Sequence, residues 1–149
     1  RLVGSEMCIR DRYRFINSPM ETLRVSTKQL TYRDCEPFFE GPVRVSLTKE
    51  ASTNIERSHN RLLSILEKKE TIYGVNTGFG NLSHIAIEEW DQKQLQVNLV
   101  RSHAAGSGEP LELGIVRTVL FLKLLTFARG YSGVSLSLAK KIIQFINKD

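Results

Sequence analysis

Apolar residues recur along this chain at two different periods, and the change from one to the other marks where its elements begin and end. Over positions 43–47, Val43, Val45 and Leu47 alternate with Arg44 and Ser46, the period of a strand with one face on a core. Ahead of it, Leu23, Val25 and Leu30 are separated by polar residues, and Pro37, Gly41 and Pro42 punctuate the run, so one small sheet is expected. From Thr48, which suits a helix cap, the period lengthens: Ala51, Ile55, Leu62 and Leu66 share one helical face, with Glu50, Glu56, Arg57, Glu67 and Lys68 on the others. A second helix is expected over residues 87–100, where Leu95 and Leu99 lie four apart and Trp90 and Val97 widen the face. The same step lands on His103 and predicts a histidine turned inward. A third helix follows Pro110 and runs to about Ala128, with Ile115, Val116, Val119, Leu120, Phe121, Leu122, Leu124, Leu125 and Phe127 on nearly every face. That is the pattern of a helix buried in a bundle or an interface. Leu136, Ala139, Ile143 and Ile146 give a fourth. The expected fold is mainly α, a helical bundle with a small mixed α/β amino-terminal portion.

Residues 71–80, Thr-Ile-Tyr-Gly-Val-Asn-Thr-Gly-Phe-Gly, fit neither period. Three glycines (Gly74, Gly78, Gly80) make a poor helix and a poor strand, so a shaped loop presenting Tyr73 is expected. Shaped loops let backbone approach a ligand and hold one side chain at a fixed point. Glycine-rich backbone also cradles phosphate, but this run lacks the Gly-Lys-Ser/Thr ending of a nucleotide loop and does not fit the dinucleotide fingerprint.

Composition narrows the picture by exclusion. The chain of 149 residues suffices for one domain, or a piece of one, with a real core, and 41% hydrophobic and 25% charged residues are ordinary globular values. The net charge is +5, yet Lys and Arg are dispersed among Asp and Glu, so no nucleic-acid partner is expected. Cys8, Cys35 and three histidines form neither a disulfide framework nor a metal motif. A reduced, cytoplasmic location is therefore expected. The longest apolar stretch, residues 119–125, is interrupted by Lys123, so no membrane partner is expected either, and no secretory signal is visible.

Residues 1–12 are similar to a translated sequencing adaptor: read back into codons, residues 2–11 resemble one frame of a transposon-end sequence. They are set aside from fold reasoning. Removing them takes three of the 21 basic and two of the 16 acidic residues, so the net charge falls from +5 to +4. Residues 13–22 are expected to be upstream read-through or a flexible terminus, with Met20 a possible start, and residues 23–149 form the domain proper.

Three side chains are candidates for chemistry. His59 lies four residues after Ile55 without companion ligands, which favours a packed or partly exposed helix histidine. Tyr73 sits in the loop, and a phenol acts as a base only as phenolate, which neighbouring positive charge or hydrogen-bond donors must favour. His103 sits at a helix end beside Ala104-Ala105-Gly106-Ser107-Gly108, where a core histidine and a site histidine are both open.

The order of short motifs carries more. Tyr73-Gly-Val-Asn-Thr-Gly-Phe-Gly80, Leu95-Gln96, Ser102-His103-Ala104-Ala105-Gly106, Gly108-Glu109-Pro110-Leu111, Val116-Arg117 and Ala128-Arg129-Gly130-Tyr131-Ser132-Gly133 follow one another at set separations. Over residues 23–149 this series closely resembles the amino-terminal part of the aromatic amino-acid ammonia-lyase and aminomutase family. The resemblance implies a helical homotetramer that removes ammonia from an amino acid without oxidation. The chemical difficulty is a β-proton that is hardly acidic and an amine that leaves poorly. It further implies an electrophilic 4-methylideneimidazole-5-one ring (MIO), formed from an Ala-Ser-Gly of the protein itself. By the same resemblance Tyr73 is the base that takes the β-proton, Gly80 is a substrate-binding loop glycine, and His103 lines the side-chain pocket. Members acting on histidine carry Ser-His here, as this chain does, where plant-type phenylalanine lyases carry Phe-Leu. The implied substrate is L-histidine and the product trans-urocanate, with tyrosine or phenylalanine lyase and aromatic aminomutase as alternatives.

The departure from the family pattern that matters most is an absence: the chain contains no Ala-Ser-Gly, and it also lacks the later residues by which the family holds the substrate carboxylate. The 149 residues alone are expected to be inactive. A reading of another class stays open beside this one, a non-catalytic helical interaction module using the apolar third helix. An Ala-Ser-Gly in the reading frame beyond Asp149 separates the two.

Overall fold

The computed structural model of the chain describes residues 21–41 and 43–148. The adaptor-like residues 1–12 with Cys8, and residues 13–20 with Met20, lie outside that range. In order, the chain forms β1 (Glu21–Val25), a 3-10 turn (Tyr32–Cys35), α1 (Pro37–Glu40), β2 (Val43–Leu47), α2 (Lys49–Glu67), a second 3-10 turn (Gly80–Leu82), α3 (Glu89–His103), α4 (Leu113–Ala128) and α5 (Leu136–Ile146). It divides into two compact units, Arg1–His59 with Leu111–Asp149, and Asn60–Pro110. The expected mainly helical class with a small sheet is what the chain adopts.

In the first unit β1 and β2 pair in parallel, with Leu23 opposite Val45. A parallel pair needs a crossover. Here it contains the 3-10 turn and α1, which starts on Pro37, where a missing N–H costs nothing. Asp34 stabilises the start of that turn: its carboxylate accepts from the Thr31 N–H at 2.6 Å and from the Thr31 hydroxyl at 2.8 Å. These bonds, the backbone one foremost, hold it below the usual carboxylate range.

Thr48 caps α2 as expected, its hydroxyl accepting from the Ala51 N–H at 3.2 Å. Ala51 and Ile55 then enter a core with Val25, Val45, Phe121, Leu124 and Ile146. Phe121 meets Phe38 with ring centroids 5.2 Å apart in a tilted pair. Helix α4 packs on α5, α1 and β1, while α5 packs on β2. Sequence alone predicts α4 covered on all sides. Its unit covers one face, through Phe121, Leu124, Phe127 and Ala128, and leaves Leu113, Val119 and Leu122 exposed.

Two polar ties close this unit. Asn147 places its amide against the outer edge of β2: the Val45 N–H donates to Oδ1 at 2.7 Å, and Nδ2 donates to the Val45 carbonyl at 3.0 Å. On α2, Asn54 Nδ2 donates to the Ala128 carbonyl at 3.3 Å and Ser58 Oγ accepts from the Gly133 N–H at 2.9 Å. His59 Nδ1 lies 2.8 Å from the Gly133 carbonyl. That carbonyl has no proton to give, so the ring donates, and His59 is the packed helix histidine that its spacing favours.

The second unit contains the end of α2, the glycine loop, the second 3-10 turn and α3. Helix α3 buries no residue: Leu95 and Leu99 are half-buried and His103 is exposed. The inward placement expected for His103 is therefore not what the chain shows. Leu95 and Leu99 alone make too narrow an apolar stripe to seat the helix end in a core.

Candidate active site

The glycine loop is ordered by its own polar side chains. Asn76 reaches backward, Oδ1 accepting from the Ile72 N–H at 2.7 Å while Nδ2 donates to the Glu70 carbonyl at 2.9 Å. Thr77, 2% exposed, spans the next turn: its hydroxyl accepts from the Gly74 N–H at 3.2 Å and donates to the Gly78 carbonyl at 3.0 Å. The segment after the loop returns alongside, the Gly78 N–H donating to the Ile85 carbonyl at 3.0 Å and the Ile87 N–H to the Asn76 carbonyl at 2.9 Å. Five loop residues, Ile72, Gly74, Asn76, Thr77 and Gly78, are thus tied by hydrogen bonds, and Tyr73 lies between the first two of them.

Tyr73 is 66% exposed. One side of its ring meets Phe79 edge-on, with centroids 6.2 Å apart and planes at 74°. Among the described residues the phenol makes no hydrogen bond, so the ring is braced while the hydroxyl stays free for a ligand. Gly74 keeps this arrangement possible with φ +74°, in the left-handed region that glycine alone enters freely.

Gly80 has φ +56°, and a Cβ built on it meets nothing within 4 Å. Its bare backbone faces open space, so its positive φ rather than any lack of room is what favours glycine there. Gly78 differs: a Cβ there would lie 2.6 Å from the Leu82 carbonyl oxygen, so this glycine permits close packing of the loop on the 3-10 turn.

His103 ends α3 in the same unit, and no hydrogen bond joins it to Tyr73. Its Nδ1 is 3.0 Å from the Leu99 carbonyl and 2.9 Å from Ser102 Oγ. Sequence reasoning assigned no role of their own to Asn76, Thr77 and Phe79, and took Ser102 only as part of the Ser-His pair. The signal was present for the first two, since short polar side chains between glycines tend to close turns on their own backbone.

Elsewhere, a cavity of about 610 Å³ in the first unit is lined in part by Lys28, Tyr32, Cys35, Thr118, Thr126 and Arg129. None of Tyr73, Gly80 and His103 lines it. Among the described residues no three His, Cys, Asp or Glu side chains group to hold a metal ion. No helix among them is long and apolar enough to cross a membrane.

Comparison with known proteins agrees with the motif series. The chain is 37% identical over 126 residues to histidine ammonia-lyase of Staphylococcus saprophyticus, covering 85% of this chain and 25% of that protein. It is 40% identical over 119 residues to histidine ammonia-lyase of Yersinia enterocolitica, covering 80% and 24%. It thus spans about a quarter of the length of these relatives. Among solved structures, tyrosine aminomutase from Streptomyces globisporus superposes with a TM-score of 0.78 at 28% identity, over 85% of this chain and 24% of that one. The family model described as aromatic amino acid lyase matches residues 30–149, and the chain belongs to the aromatic amino acid lyase family.

Proposed function

We propose that this chain supplies the base-bearing part of an ammonia-lyase that converts L-histidine to trans-urocanate and ammonia. The observation that carries the reading is Tyr73: an exposed phenol without a protein partner, its ring braced by Phe79 on a loop tied by Asn76 and Thr77. A base must meet a weakly acidic β-proton at one position and angle, and a ring held this way has little freedom to miss. Gly80 lets the substrate approach bare backbone, and His103 meets its side chain.

Histidine is favoured as substrate by the relatives at 37% and 40% identity and by the Ser102-His103 pair. The likeness to a tyrosine aminomutase supports a second reading, an aromatic aminomutase or a tyrosine or phenylalanine lyase with the same loop base. The 4-methylideneimidazole-5-one ring of the family resemblance supplies the electrophile that makes the amine a leaving group. No Ala-Ser-Gly occurs in the 149 residues, so the ring does not form from them. A longer polypeptide supplies it, working as a homotetramer in the cytoplasm, which also accounts for the uncovered face of α4 at Val119 and Leu122.

The test uses the reading frame continued past Asp149, expressed and assayed separately with L-histidine, L-tyrosine and L-phenylalanine. Urocanate formation is expected, with Tyr73→Phe lowering kcat by about 100-fold or more, the range of a general base. Turnover of tyrosine or phenylalanine with histidine untouched selects the second reading. A native stop without Ala-Ser-Gly refutes the enzyme and leaves an interaction module.

A further inference from the structure

The cavity of about 610 Å³ in the first unit has the size of a small-molecule site, and its wall carries one sign of charge. Lys28 and Arg129 line it, while no Asp or Glu does. Among the described residues neither cation forms an ion pair or a side-chain hydrogen bond. Asp34 is the acid beside the lining residues Thr31 and Cys35, and its carboxylate is already taken by the Thr31 N–H at 2.6 Å and the Thr31 hydroxyl at 2.8 Å. The Cys35 thiol in the wall is kept protonated by burial first and by that carboxylate second, so it adds no negative charge at neutral pH.

The hydroxyls of the wall divide by what their protons already do. Thr31 gives its proton to Asp34, and Thr126 gives its own to the Leu122 carbonyl at 3.1 Å, so neither has a proton left for a guest. Tyr32 instead accepts, from Arg33 Nε at 3.3 Å, which leaves its O–H free to donate. Lys28, Arg129 and Tyr32 are therefore uncommitted donors, and half-buried Leu30 and Leu125 supply apolar wall beside them. Arg129 is also held from behind. Asn54 Nδ2 donates to the Ala128 carbonyl on one side of it, and on the other Gly130, with φ +77°, lies so close to α2 that a Cβ would stand 3.0 Å from the Asn54 carbonyl oxygen. The backbone that carries the guanidinium is fixed without a guest, so binding need not order it.

We infer that this cavity is a binding site for a small organic monoanion with an apolar body, its carboxylate against Lys28, Arg129 and the Tyr32 hydroxyl and its body on Leu30 and Leu125. A carboxylate brings acceptors to donors that have none, and the body covers the leucines. Acetate meets only the first need, and an uncharged alcohol of the same shape only the second. Nothing in the inference uses Tyr73, Gly80 or His103, so it stands apart from the lyase reading.

The test titrates the 149-residue chain with phenylbutyrate, phenylbutanol and acetate, following the backbone amides of residues 28, 30, 35, 125 and 129. Phenylbutyrate should give saturable shifts there and slow the alkylation of Cys35. Phenylbutanol and acetate should each bind about tenfold more weakly or less, the factor that one charge-assisted contact sustains. Lys28→Met and Arg129→Met, both at exposed side chains, should each weaken phenylbutyrate about five- to tenfold and leave phenylbutanol unchanged. Equal binding of the acid and the alcohol overturns the selection of an anion. Absence of saturable shifts, or phenylbutyrate binding untouched by both substitutions, overturns the site. The comparison of the three probes uses the unmutated chain and decides even where a variant fails to fold. Because a longer polypeptide would cover α4 nearby at Val119 and Leu122, the titration is repeated there: the same selectivity retains the site, and binding to the 149 residues alone overturns it. Neither readout needs turnover, so failure of the lyase reading leaves this result distinguishable.

Discussion

Asn147→Ala removes one exposed side-chain amide at the end of α5, and it should destabilise the fold far more than exposed substitutions ordinarily do. The amide behaves as a peptide unit added to the outer edge of β2, satisfying both the N–H and the carbonyl of Val45 at 2.7 and 3.0 Å. Val45 is 3% exposed and lies opposite Leu23 in the sheet, so its backbone polar groups have little access to water once the amide is gone. An unsatisfied buried backbone group costs about 1–3 kcal/mol, which sets about 2–6 kcal/mol for the pair. Because Asn147 itself is exposed, some water enters behind it, and the lower half of that range, about 2–3 kcal/mol, is expected. At about 2–4 °C per kcal/mol for a chain of this size, Tm falls by roughly 5–10 °C.

Asn147→Asp sharpens the test. A carboxylate keeps the acceptor for the Val45 N–H but sets negative charge against the Val45 carbonyl, so at neutral pH it should lose at least as much stability as alanine. Protonation restores a donor, so relative to the parent at each pH the aspartate variant should recover as the pH falls through the carboxylate range. Thermal and urea unfolding followed by circular dichroism measure the loss, and exchange of the Val45 amide locates it. Lys148→Ala, which removes only an exposed side chain next along, is the control. If Asn147→Ala stays within about 0.5 kcal/mol of the parent and the Val45 amide stays protected, the edge is satisfied by something other than Asn147 and the reasoning fails.

Gly78→Ala should loosen the glycine loop, since its Cβ would lie 2.6 Å from the Leu82 carbonyl oxygen. Faster exchange of the backbone amides at positions 74 and 78, with the first unit unchanged, is the expected readout. Burial first, and the neighbouring Asp34 carboxylate second, raise the Cys35 thiol above its ordinary value. With the folded value above the unfolded one, this thiol contributes stability fully below the unfolded thiol range, and that contribution is lost as pH rises through the folded value. Alkylation of native Cys35 should accordingly lag that of the urea-unfolded chain at pH 8, and equal rates would show the thiol is not shielded.

Periodicity revealed the four longer helices and one of the two strands because these are local, while α1, only four residues long, is too short to show a period. The strand pattern at residues 43–47 and the stripe from Leu136 to Ile146 match β2 and α5 at both ends. Long-range pairing left no such trace. Nothing near Glu21–Val25 announces that it pairs in parallel with Val43–Leu47, and nothing near Asn147 announces that its amide completes the edge of β2. The site divides in the same way. Glycines at 74 and 80 mark positive φ, and Asn76 and Thr77 are the residue types that close turns, so a shaped loop around Tyr73 was legible. For His103 a step of four from Leu99 predicted burial, whereas the same step actually brings its Nδ1 onto the Leu99 carbonyl of its own helix. Helical spacing reports which residues share a face, and a face becomes a core only when another element covers it.

That distinction bears on how the loop serves a reaction. Every hydrogen bond found in residues 70–80 ends on the loop itself or on residues 82–87 of the same unit. Buried Thr77 is at the centre, and the exposed Tyr73 ring meets Phe79 on one side. The backbone that carries the proposed base is therefore ordered by the loop's own bonds, and binding energy need not be spent ordering it. His103 is fixed by the same economy, its ring anchored within one helical turn. What neither group obtains from its own unit is a wall on the far side: Tyr73, Gly80 and His103 all face outward. Preorganised groups on an open surface bind weakly, because water competes for each donor and acceptor. In the proposed lyase, closing that side falls to parts of the enzyme outside these 149 residues, and the proposal predicts that Tyr73→Phe changes turnover while leaving the stability of this chain within about 0.5 kcal/mol.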